Sequence, residues 1–178
     1  VALKATIFKV DLQLADLDRH HYADYPLTLA RHPSETDERL MMRVLAFALH
    51  AHERLALGKG LSDDDEPDLW RRDLTGAIEQ WIEVGLPDAR RLRRAASRAD
   101  QVIVLPYGGR AAELWWTANA SDLRKLPKLT VTPIDAEASR GLAALVARTV
   151  RLQVTVQDGA VSVTDGVQVV EVQPGRWV

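Results

Sequence analysis

Hydrophobic and polar positions alternate at both ends of the chain and fall at helical spacing between them. Leu3 to Leu14 alternates as a strand, Asp16-Leu17-Asp18 turns, and a second strand is expected from about Arg19 to Ala30, broken near Pro26. The two form an N-terminal hairpin. Ser34 reads as the N-cap of a first helix, with Glu35 and Asp37 favourable near its positive end. Leu40, Met41, Val44, Leu45, Phe47, Ala48 and Leu55 give that helix an apolar face over about five turns, up to a stop at Gly58-Lys59-Gly60. Pro67 to Gly85 reads as a hairpin turning at Thr75-Gly76. Pro87-Asp88 opens a second helix over 89–99, packed through Leu92, Ala95, Ala96 and Ala99. The near-continuous apolar run Gln101 to Leu105 has the character of a buried strand, so 77–105 is a right-handed βαβ crossover. A helix over Arg110–Ala120, a short strand over Lys128–Ile134 and a helix from Asp135 to about Thr149 follow. Three valine-rich strands turning at Asp158-Gly159 and Asp165-Gly166 close the chain as a meander.

The 178 residues suit a single domain spanning 1–178, and 47% hydrophobic with 27% charged residues is ordinary globular composition. A formal charge of -2 excludes a uniformly basic nucleic-acid binder but leaves room for a local patch. Arg90, Arg91, Arg93, Arg94 and Arg98 crowd the second helix; the plain reading is a solvated basic face, the functional one a phosphate-contacting patch. Without cysteine there are no disulfides, thiolate metal sites or cysteine nucleophiles, which fits a cytoplasmic protein. The first residues do not read as a signal peptide, and no apolar run approaches the roughly 20 residues of a membrane span. His50-Ala51-His52-Glu53 lacks the i, i+4 spacing of a helical zinc site and reads as a solvated helix end. No serine sits in GxSxG, and no GxGxxG follows a strand.

The central hairpin is the one constellation with built-in geometry. A turn at Thr75-Gly76 sets Trp70 opposite Trp81, Arg72 opposite Glu79, and Asp68 opposite Glu83. The first two pairings are favourable across strands; two acids ~4.5–5.5 Å apart are not. A divalent cation between the carboxylates resolves the conflict. The bland alternative pairs Asp68 or Glu83 with an arginine such as Arg98 and binds no metal.

The segments LTLARHPSETDER (27–39), GLSDDDEPDLW (60–70), WIEVGLPD (81–88), ADQV (99–102) and GGRAAELWW (108–116) resemble the YaeQ family over most of the chain. Pro67-Asp68 followed by Ile82-Glu83-Val84-Gly85 is similar to the PD-(D/E)XK nuclease pattern. The resemblance implies a restriction-endonuclease-like α/β fold, with a mixed central sheet flanked by helices. It also implies a Mg2+ (or Mn2+) site formed by Asp68, Glu83 and the Val84 carbonyl, with Glu38 or Glu35 completing it, and phosphodiester cleavage in nucleic acid. The pattern's lysine is replaced by Gly85, so Lys59 or Arg98 is the expected stand-in; arginine stabilises charge but is a poor base. A catalytically inactive binding module of the same fold is the alternative.

Overall fold

The computed structural model describes residues 4–59 and 65–178, so the first part of the acidic run at Ser62–Glu66 lies outside the described residues, as does the expected strand start at Leu3. The architecture is mixed α/β: two mixed five-stranded sheets with four helices among the described residues. β1 (Thr6–Asp16) and β2 (His21–Arg31) pair antiparallel along their full lengths. Pro26 does not break β2; it sits opposite Asp11. β2 is the outer strand of its sheet, where a residue without an N–H is tolerated. β1 also pairs, in parallel, with β8 (Thr149–Gln157), which leads through β9 (Ala160–Thr164) to β10 (Val169–Val172). The C-terminal meander therefore extends the N-terminal hairpin into one sheet, in the order β10-β9-β8-β1-β2.

Helix α1 (Asp37–Leu49) starts two residues later than expected. Thr36 caps it, its Oγ1 accepting from the Arg39 N–H at 3.1 Å, whereas Ser34 is engaged with the His32 ring. The helix also ends early. His50 closes it, and Leu55 belongs to β3 (Leu55–Leu57). Leu40 to Ala48 are all buried, Arg43 included, so α1 is enclosed on every side instead of showing one apolar face. His50 is not a solvated end: burial, with Arg19 and Arg71 nearby, pushes its imidazole down to about 4.

The second sheet runs β3-β4-β5-β6-β7, from β4 (Leu69–Arg72), β5 (Ile78–Val84), β6 (Ala99–Leu105) and β7 (Leu129–Val131). The expected crossover is present: β5 and β6 are parallel, joined by α2 (Ala89–Arg98). Trp70 faces Trp81, with rings 6.1 Å apart and edge to face. The register then slips between Arg71 and Arg72, so Arg72 faces Ile78, not Glu79. The cause is the turn. Asp73 Oδ1 accepts from the Thr75 N–H, the Thr75 hydroxyl and the Ala77 N–H, building a wider loop than a two-residue turn. Glu79 is bound instead by Arg54 and Arg71.

One face of this sheet, with Leu69, Ile82, Val84, Ile103 and Leu105, packs into the main core around α1. The other, with Trp81, Val102 and Val104, packs on Leu92 and Ala95 of α2 and on Leu123 of α3 (Arg110–Leu123). Burial on both faces explains the continuous apolar run of β6. Helix α4 (Ala136–Ala143) is shorter than expected, ending six residues before Thr149, where β8 begins. Trp116 stacks on Trp177 at 5.6 Å and Trp115 donates to the Pro87 carbonyl, so both tryptophans serve contacts between elements.

Gly58 does not end a helix. Its N–H bonds the Asp68 carbonyl at 2.8 Å, and a Cβ there would lie 2.0 Å from the Pro67 carbonyl oxygen. Gly58→Ala is expected to cost about 1–3 kcal/mol through this backbone clash. Urea unfolding checks it; an unchanged midpoint contradicts the close approach of Gly58 to the Pro67–Asp68 backbone.

Candidate functional site

Asp68 immediately precedes β4, and Glu83 lies near the end of β5, so the hairpin brings both acids to one place. They are buried, at 3% and 4% exposure. Each is tied to a different helix. Asp68 Oδ1 accepts from Arg39 Nη2 of α1 at 2.5 Å, and Oδ2 accepts from the Val84 N–H at 2.8 Å. Glu83 Oε1 accepts from Arg91 Nε of α2 at 2.7 Å and from Trp81 Nε1 at 2.8 Å. Arg91 also donates to the Glu66 carbonyl. The cations that reach the acids are thus Arg39 and Arg91, not Lys59 and Arg98. The Lys59 ammonium lies 3.9 Å from Glu66 and is largely exposed; Arg98 lies over the Trp81 ring and donates to the Asp65 carbonyl.

The acids of the first helix have other partners. Glu35 neither caps α1 nor approaches Asp68 as a ligand; its buried carboxylate pairs with Arg43 at 2.8 Å and stands 3.8 Å from Arg39. Glu38 accepts from the Ser139 hydroxyl at 3.2 Å. Val84 contributes its N–H. Among the described residues, no group of three or more histidine, aspartate or glutamate side chains is placed to hold a metal ion. What the fold assembles is an alternation of charges, Arg43, Glu35, Arg39, Asp68, then Glu83 and Arg91. Three cations match three anions.

The compensation is uneven. Burial, followed by the charge of Asp68, pushes Glu83 up to about 7, and Arg91 and the Trp81 N–H offset this only in part. Burial opposes the charge on Arg39, but Asp68, Glu35 and Tyr107 outweigh it and hold Arg39 above its ordinary value. Tyr107, after β6, completes the surroundings. Burial and the charges of Glu38 and Asp68 raise its hydroxyl to about 12, against the pull of Arg39 and a hydrogen bond with Thr36. A Cβ on Gly85 would meet the Tyr107 ring at 3.9 Å. Gly85 itself has φ +99°, a conformation that residues with a Cβ rarely adopt. The backbone therefore reserves for glycine the position where the nuclease pattern has lysine.

Arg39, Arg43, Arg91 and Tyr107 were not singled out as site residues by sequence. The spacing Glu35–Arg39–Arg43 is a repeated i, i+4 signal of one charged row. Arg91 is marked only as one arginine of the basic second helix, and nothing local marks Tyr107.

The YaeQ protein family profile matches residues 1–174. The chain belongs to the YaeQ family. It is 45% identical to the uncharacterized protein YaeQ of Escherichia coli (strain K12) over 177 residues, covering 99% of this chain and 98% of that one. Its YaeQ relative in Salmonella typhi is 44% identical over the same length. The crystal structure of the YaeQ protein from Xanthomonas axonopodis pv. citri is similar with a TM-score of 0.94 and 47% identity, covering 97% of this chain and 98% of that one. The structure from Pseudomonas syringae matches with a TM-score of 0.93 and 37% identity, over 98% and 96% of the two chains. The two-sheet architecture is thus that of solved YaeQ proteins.

Two outcomes follow for this YaeQ-family site. Arg43→Met leaves Glu35 buried without its principal cation and is expected to cost about 3–5 kcal/mol in denaturant unfolding; a cost under 1 kcal/mol contradicts the pairing. The second concerns pH. Glu83 has a folded value of about 7, above its ordinary 4.5, so the stability it contributes is fully present below 4.5 and lost as pH rises through 7. Relative to Glu83→Gln, the wild type is expected to lose stability on the order of 3 kcal/mol between pH 4.5 and 7 and to level off above it. A flat difference across that range contradicts the raised value.

Proposed function

We propose that Asp68 and Glu83 form a divalent-cation seat for Mg2+ or Mn2+, and that the chain is a metal-dependent nuclease or phosphodiesterase of the PD-(D/E)XK type. The observation that carries this reading is the placement of two buried carboxylates side by side, where burial and then the charge of Asp68 raise Glu83 even with an arginine on each acid. Asp68 and Glu83 would offer a hard cation the oxygen ligands it favours, Glu83 giving up its proton to do so. Held there, the metal would supply polarisation of a phosphoryl oxygen and activation of water.

The chain's own residues do the rest. Arg39 and Arg91 fix the carboxylates; guanidiniums stabilise phosphoryl charge and are poor bases. Tyr107, protonated at neutral pH, is a donor in the same surroundings. With Gly85 replacing lysine, Arg39 is the cation best situated to take over the missing charge.

The second reading is a catalytically inactive nuclease-fold module that binds without cleaving. It is favoured by the close ion pairs Arg39–Asp68 and Arg91–Glu83, which neutralise the acids without metal, and by the glycine-only backbone at Gly85. Mn2+ titration by calorimetry separates the cases, using wild type, Asp68→Ala and Glu83→Gln. The expected result is binding by the wild type that strengthens from pH 6 to 8 with proton release and is lost in both variants. Cleavage of DNA or RNA by the wild type then selects the nuclease. Binding without cleavage selects the module, and no binding at pH 8 removes the cation seat.

A further inference from the structure

The outer face of α2 is more basic than its place in the fold explains. Five of the chain's 23 lysines and arginines fall in these ten residues. Arg91 is used internally on Glu83. Arg90, Arg93, Arg94 and Arg98 are exposed. Leu92 and Ala95 hold the opposite side of the helix in the core, so Arg90, Arg93 and Arg94 project away from it.

Helix stability does not account for this distribution. The first turn of α2 contains no acid and carries Arg90 and Arg91 at the positive end of the helix dipole, where cations are unfavourable. Asp88 is the N-cap, its side chain accepting from the Arg91 N–H. Nor, among the described residues, are the outer guanidiniums absorbed by ion pairs. Arg90 and Arg93 make none among the described residues. Arg94 faces Asp65 at 3.4 Å with both side chains mostly exposed, a contact that water and salt weaken readily. Arg98 donates to the Asp65 backbone and covers the Trp81 ring. At the far end, Lys128 donates to the Ala96 and Ala99 carbonyls, adding a fifth cation beside Arg98. Asp100 is the exposed acid that follows.

We infer that this face of α2 is a docking track for the phosphate backbone of a nucleic acid. Charge complementarity identifies the partner. Ten helical residues span about 15 Å, close to the rise of four phosphates along one strand at about 3.4 Å each, and four arginines are exposed along that length. Guanidinium forks suit phosphate oxygens in a way that scattered lysines do not. The track is continuous with the carboxylate site, because Arg91 on the same helix reaches inward to Glu83. It supplies the polymer contacts that the phosphodiester reading lacks, and its link to cleavage rests on that reading; the binding itself does not.

Binding is therefore tested without metal. Fluorescence anisotropy with labelled duplex and single-stranded oligonucleotides, in EDTA, is run from 50 to 200 mM KCl. The wild type is expected to bind with affinity that falls steeply with salt. The combined variant Arg90→Ala, Arg93→Ala, Arg94→Ala is expected to lower the slope of log affinity against log salt by about 2–3, the loss for three phosphate contacts. Replacing the same three by lysine is expected to restore most of the slope, which a misfolded helix does not do. No wild-type binding at 50 mM KCl overturns the proposal, as does an alanine variant with the wild-type slope. Stronger binding to anionic phospholipid vesicles than to oligonucleotide overturns it in favour of a membrane surface. Failure of Mn2+ binding with salt-dependent oligonucleotide binding intact removes the cation seat and leaves the track standing.

Discussion

Two carboxylates buried side by side impose a demand that much of this molecule is arranged to meet. Asp68 and Glu83 repel one another at low exposure, and an uncompensated buried charge is costly. The chain answers with one cation from each side of the second sheet. Arg39 arrives from α1 and binds Asp68; Arg91 arrives from α2 and binds Glu83. Arg39 is itself braced by Glu35, which is braced by Arg43 in the most enclosed part of α1. Such a series of alternating charges holds α1 against the second sheet in one arrangement, because sliding the helix would leave several buried charges unmatched at once.

The backbone around the acids is equally constrained. The Val84 N–H is committed to Asp68, the next N–H, from Gly85, is committed to the Leu105 carbonyl, and the chain then turns through a positive φ at Gly85. Tyr107 fills the space beside that turn. This local geometry explains why residue 85 is glycine: a lysine there would be strained whatever its charge offered. The cation beside Asp68 is Arg39.

Much of this was legible in the residues. The period-2 stretches, the βαβ unit over 77–105 and the Trp70–Trp81 facing pair follow from patterns that local chemistry enforces. So does the convergence of Asp68 and Glu83. What was not legible depended on contacts distant in sequence. Glu35 looked like a capping residue because its helix start reads plausibly at Ser34; only the fold brings Arg43 and Arg39 around it. Lys59, in the loop before the acids, and Arg98, on the helix after them, look like substitutes for the missing lysine, whereas it is Arg91, in the first turn of that helix, whose guanidinium reaches Glu83. The Arg72–Glu79 pairing failed through a single local event, the loop that Asp73 builds with Thr75 and Ala77. The division of the strands into two sheets rests on β1 pairing in parallel with β8, more than a hundred residues away, which no local pattern announces.

The account depends on Glu83 feeling Asp68 within a buried site, and this can be read directly. Carbon-detected NMR titration of the glutamate side-chain carboxyls, with Glu83 assigned through Glu83→Gln, follows that single group. The account predicts a midpoint near 7 in the wild type and a clear fall in Asp68→Asn, where the neighbouring charge is gone. A Glu83 midpoint at the ordinary glutamate value of about 4.5, unmoved by Asp68→Asn, contradicts it.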